Sequence, residues 1–131
     1  MSPAGSDPAI VIIGAGFAGL CMAIRLKQAG YGDFVILEKN DDLGGTWRDN
    51  TYPGCACDVP SHMYSFSFEL NPGWSRMFAP QQEIWEYMRR CAQKYGIFAH
   101  IRFGCPVEGL EWDDTAGRWH VEAAGEVYTA R

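Results

Sequence analysis

The tightest constraint on this chain lies near its start, in AIVIIGAGFAGLCMAIRLKQAGYGDFVILEK, residues 9–39. Residues 9–13 form a short uninterrupted apolar run followed at once by glycine, the pattern of a strand buried on both faces of a parallel sheet. From 18 to 29, Leu20, Ala23, Ile24 and Ala29 fall at helical spacing with Arg25, Lys27 and Gln28 between them, and Gly30 supplies a stop. Residues 34–37 read as a second strand. The result is a βαβ unit, whose crossover is right-handed.

The turn between the first strand and the helix contains Gly14, Gly16 and Gly19, a G-x-G-x-x-G match completed by Ala15, Phe17 and Ala18. The first glycine permits the tight turn, the second lets backbone approach a pyrophosphate, and the third lets helix and strand pack closely. The phosphates then meet the positive end of the helix. Fifteen glycines make a lone match weak. The flanking strand and helix strengthen it, as does Glu38, nineteen residues after Gly19 at the end of the second strand. A carboxylate there can accept from ribose hydroxyls, a charged hydrogen bond worth roughly 1.5–3 kcal/mol, and it repels a 2′-phosphate. The unit therefore favours FAD or NAD over NADP. Taken alone, Glu38 reads as an ordinary solvated acid at a strand end.

Composition narrows the partners. The formal charge is −5 with no basic cluster, which argues against nucleic acid and anionic membranes and for a small-molecule ligand. Five cysteines, with Cys55 and Cys57 one residue apart, fit neither a disulfide framework nor a zinc or redox pair, and read as reduced thiols of a cytoplasmic protein. The leader MSPAGSDP is too short and polar for a secretory signal, and no apolar run approaches the ~18 residues of a membrane helix. His62, His100 and His120 lack ligand spacing, so no metal site is expected. Trp74, Trp85, Trp112 and Trp119 read as packing residues.

Residues 40–80 lose periodicity and collect glycine and proline, which marks a functional loop region. Helical spacing returns over about 82–94, with Ile84, Tyr87, Met88, Cys91 and Tyr95 on one stripe. Residues 101–131 alternate and turn near 113–117 and Gly125, which predicts a small antiparallel meander. The fold class is thus α/β: a Rossmann-like βαβ nucleotide-binding fold with a long loop region, a helix and a meander.

The combination of motifs closely resembles the N-terminal part of the FAD- and NADPH-dependent class B flavoprotein monooxygenases, the Baeyer-Villiger monooxygenases and their relatives. The resemblance is carried by GAGFAG, Glu38, Gly44-Gly45-Thr46-Trp47, Tyr52-Pro53-Gly54, Cys57-Asp58, the Tyr64-Ser65-Phe66-Ser67-Phe68 run, FAPQQEIWEYMRRCAQKYGI, and Val107 within FGCPVEGLEWD. It implies that NADPH reduces FAD, that O2 then gives a C4a-peroxyflavin, and that oxygen enters a ketone or a heteroatom substrate.

By the same resemblance, the glycine turn and Glu38 with the adjoining Lys39 would bind the ADP half of FAD. Gly45, Thr46 and Trp47 would lie along the pyrophosphate and flavin, with Tyr64 on the flavin side, and Val107 would offer its backbone to the adenine. Asp58 resembles the family's flavin-side aspartate, which pairs with an arginine; judged on local sequence alone it reads as a turn cap before Val59-Pro60. A second glycine turn and the signature Phe-x-Gly-x-x-x-His-x-x-x-Trp-Pro do not occur after Lys39. Residues 1–131 are therefore expected to be the N-terminal part of an FAD-binding domain that is incomplete here, without the NADPH domain and inactive alone. Two rivals remain, a non-catalytic FAD-binding fragment and another two-dinucleotide flavoprotein; GGTW, YPG and the lack of Cys-x-x-Cys argue against the second.

Overall fold

The computed structural model describes residues 7–131. The polar leader lies largely outside them. The expected βαβ unit is present almost to the residue: β1 (Ile10–Ile13), α1 (Phe17–Gln28) and β2 (Phe34–Leu37). The two strands pair in parallel, Ile10 with Phe34 through Ile13 with Leu37. A short helix α2 (Thr46–Asp49) interrupts the long loop region, and α3 (Gln81–Lys94) comes after it. A 3-10 turn at Phe98–His100 then leads into β3 (Ile101–Arg102).

Ile101 opens the third strand of the parallel sheet, whose order is β1-β2-β3, and not the meander. Two residues are too few to show alternation, so nothing local distinguishes β3 from the strands of the meander. The meander itself is β4 (Val107–Asp113), β5 (Arg118–Ala123) and β6 (Glu126–Ala130), paired antiparallel in sequence order with turns where the sequence places them.

Two packed clusters explain the sheet's composition. Successive strand residues point to opposite faces. On β2, Phe34 and Ile36 therefore join the large core with Leu20, Ala23 and Ile24 of α1 and Ile84, Tyr87 and Met88 of α3. Val35 and Leu37 face the other way and pack with Val121, Ala123 and Tyr128 of the meander. All four β2 residues are buried. The same expectation fails for β1, where Ile13 is 52% exposed. β1 is an edge strand of this sheet, and at its start the chain end reaches it through one bond, Arg131 N–H to Ala9 O at 3.1 Å.

Among the tryptophans, Trp74 is buried and donates to Ser65 Oγ at 3.2 Å. Trp112 and Trp119 depart from the packing expectation. They pair edge to face at 5.4 Å on the meander yet remain 44% and 43% exposed.

Candidate dinucleotide site

The site is built on the turn after β1. Gly14 adopts φ +94°, a conformation that favours glycine, and its N–H donates to Leu37 O at 2.9 Å, which ties the turn to the end of β2. Gly19 has no room for a methyl group, since a Cβ there would stand 1.9 Å from Gly14 O. Over Gly14 and Gly16, in contrast, the space is open. No side chain caps α1 at Gly16, and the helix's first bond is Leu20 N–H to Gly16 O at 3.0 Å. The N–H groups of the first turn, at the positive end of the helix, are left for a ligand or water.

Glu38 is buried, with 4% of its surface exposed. Its Oε1 accepts from Ala15 N–H at 2.9 Å and its Oε2 from Asn40 N–H at 2.8 Å. The carboxylate thus braces the glycine turn against the loop after β2, a job that the sequence reading does not anticipate. A carboxylate offers about four lone-pair sites, so two protein bonds leave capacity for a ligand hydroxyl. The Glu38 backbone is held as well, donating to Arg102 O at 3.0 Å and accepting from Cys105 N–H at 2.9 Å.

Gly44 and Gly45 dock onto this turn. Gly44 N–H donates to Ala15 O at 2.9 Å, and a Cβ on Gly45 would come 3.5 Å from Gly16 Cα. Thr46 is exposed and begins α2, while Trp47 is buried. Trp47 Nε1 donates to Tyr64 Oη at 3.1 Å, and Tyr64 in turn meets Phe17 edge to face at 5.2 Å. Phe17, Ala18, Cys21, Met63, Tyr64, Ser65 and Phe66 line a cleft of about 340 Å³. Beside α2, Arg48 bonds Asp41 at 2.5 Å and Asp49 at 2.9 Å, and this guanidinium holds the Asp41 carboxyl below the usual carboxylate range.

The structure therefore gathers Gly14, Ala15, Gly16, Phe17, Ala18, Gly19, Glu38, Gly45, Thr46, Trp47 and Tyr64 through a continuous set of contacts. Lys39 adjoins Glu38 and is exposed. Val107 opens β4, half-buried beside the second cluster, two residues after the Cys105 amide that bonds Glu38. Asp58 stands apart. It is exposed and makes no hydrogen bond or ion pair among the described residues; Val59 N–H lies 3.4 Å from Cys57 Sγ, so Asp58 caps no turn there either. Asn40 belongs to the site through its bond to Glu38 and is invisible in sequence, because its contribution is a backbone amide.

A glycine turn opening a helix, closed by a buried acid at the end of the neighbouring parallel strand, defines a Rossmann-type dinucleotide-binding unit. The profile of the NAD(P)-binding Rossmann-like domain matches residues 12–90, and the chain belongs to that family. It is 53% identical over 122 residues to a Baeyer-Villiger monooxygenase of Pseudomonas aeruginosa, covering 92% of this chain and 23% of that protein. Its fold matches the closed crystal structure of cyclohexanone monooxygenase with a TM-score of 0.89 at 34% identity, covering 98% of this chain and 25% of that one. It likewise matches OTEMO in complex with FAD and NADP, with a TM-score of 0.85 at 34% identity, over 95% of this chain and 25% of that one. The chain spans about a quarter of the length of these relatives, and its homologues are Baeyer-Villiger and FAD-binding monooxygenases.

Proposed function

We propose that residues 1–131 form the N-terminal FAD-binding part of a class B flavoprotein monooxygenase, an enzyme that takes electrons from NADPH and inserts oxygen from O2 into a ketone or a heteroatom compound. The observation that carries this reading is the joint geometry of the turn: a buried Glu38 carboxylate bonded to Ala15 N–H, open space over Gly14 and Gly16, and a second glycine pair docked on Ala15 O. That arrangement fits a dinucleotide. The uncapped start of α1 suits a pyrophosphate, the glycines admit it closely, and the remaining lone pairs of Glu38 suit ribose hydroxyls.

On this reading Gly16, Phe17, Ala18 and Gly19 hold phosphate through backbone amides, while the Ala15 amide holds Glu38 in place, with Glu38 and Lys39 at the ribose. Gly45 and Thr46 flank the pyrophosphate, Trp47 and Tyr64 wall the flavin end, and Val107 offers backbone to the adenine. FAD, when bound, supplies the redox centre at which O2 is activated. Asp58, unpartnered among the described residues and exposed, is the carboxylate available to fix a cation near the flavin, since a positioned cation needs an anionic partner. No helix of the described residues is long and apolar enough to cross a membrane. Five cysteines without framework spacing support a cytoplasmic setting.

The test is a pair of titrations of this chain, with FAD and with NADP, followed by quenching of intrinsic tryptophan fluorescence. FAD is expected to bind at least about tenfold more tightly, the worth of one charged hydrogen bond. Equal affinities would remove Glu38 from its assigned role.

A further inference from the structure

Helix α3 turns one stripe, Gln81, Trp85 and Arg89, toward the segment 42–47, and each member holds it. Gln81 Nε2 donates to Trp47 O, Trp85 Nε1 donates to Leu43 O at 2.9 Å, and Arg89 Nη1 pairs with Asp42 Oδ2 at 3.3 Å. The stripe is spaced i, i+4, i+8, so all three belong to one face of the helix. From the opposite side the segment is tied to the glycine turn through Gly44 N–H and Ala15 O.

The segment needs such restraint. Gly44 and Gly45 both carry positive φ, +125° and +53°, and two adjacent glycines lose more backbone freedom on ordering than any other pair. Of the three contacts from α3, the Arg89–Asp42 pair is partly solvated and so weak. The Gln81 contact fixes the far end, at Trp47. Trp85 acts at the glycines themselves: its N–H satisfies the carbonyl of buried Leu43, and its ring edge fills the space that a Cβ on Gly44 would need, at 2.8 Å. The Arg89 guanidinium lies over the same ring, 5.3 Å from its centre.

We propose that Trp85 is a positioning residue of the cofactor cradle, which fixes the Leu43–Gly45 backbone before ligand arrives and thereby sets affinity for the pyrophosphate of FAD. The proposal rests on the FAD reading given under the proposed function. Its physical basis is preorganisation: ordering completed in the free protein is not charged against binding.

The experiment compares the native chain with Trp85→Phe, which keeps a ring and removes the N–H, by FAD titration and by amide hydrogen exchange without ligand. Trp85→Phe is expected to weaken FAD binding about three- to tenfold and to speed exchange at Gly44 and Trp47, with β5 and β6 amides unchanged. If Trp85→Phe does not fold, Arg89→Ala is compared with Asp42→Asn, which breaks the same ion pair but leaves the cation over the ring: a larger loss of FAD affinity in Arg89→Ala supports the proposal and equal losses overturn it. Unchanged FAD affinity in a folded variant overturns the proposal, whether or not exchange at Gly44 rises. A native chain that binds no FAD overturns the FAD reading itself and this proposal with it, whereas normal native binding with an indifferent variant removes only Trp85.

Discussion

The two carboxylates singled out by sequence, Glu38 and Asp58, have opposite surroundings. Glu38 is buried, each oxygen accepts a backbone N–H, and its own backbone is bonded on both sides. Asp58 is exposed and touches no donor among the described residues. The nucleotide end of the candidate site is thus part of the fold's own bonding, and the aspartate assigned to the flavin end contributes nothing to that bonding. A residue of the first kind cannot be changed without disturbing the architecture; one of the second kind is free to serve a ligand or partner.

The sharpest way to break the bonded half is Gly19→Ala. Its methyl would fall 1.9 Å from Gly14 O, a backbone atom that cannot swing aside, so the helix must move off the strand. A loss of about 3 kcal/mol or more is expected, read as a large drop in urea midpoint. Glu38→Ala comes next, with a cost of about 2 kcal/mol from stranding the Ala15 and Asn40 amides. FAD affinity should fall as well, so titrations need a parallel melting curve to separate lost binding from lost fold. A Glu38→Ala chain as stable as the native one would erase the contrast. Asp58→Ala is the smallest effect: stability within about 0.5 kcal/mol of native and FAD still bound. In a whole enzyme carrying this segment, the same change is expected to lower product per NADPH and raise hydrogen peroxide.

Sequence makes the βαβ unit legible because its signals are local and mutually consistent: an apolar run, a glycine turn, helical spacing, a second apolar run. The limits of β2 and the start of α3 are readable for the same reason. The hidden features depend on contacts between distant segments. Ile101 joins a parallel sheet through a strand of two residues, whose identity is set by the partner and not by its own pattern. Ile13 looks like core and is exposed because burial of an edge strand depends on what lies beside it. In the site, the glycines and Glu38 are readable from spacing, while the bracing of Ala15 and Asn40 is not, since it passes through backbone amides. Trp85 reads as packing, and only the folded chain shows its N–H at Leu43 O.

The pairing of Ile36 with Ile101 has a consequence for how this molecule assembles. The meander is made of adjacent hairpins, which form on a microsecond scale. The β2–β3 pairing instead closes a long intervening stretch that contains the glycine pair, the aromatic run and α3, and such non-local closure is slow. Arg102 O and the Cys105 amide reach Glu38 only after that closure. The Glu38 backbone bonds to this segment therefore wait on that closure, and a nucleotide bound at Glu38 would by mass action favour the fully assembled chain.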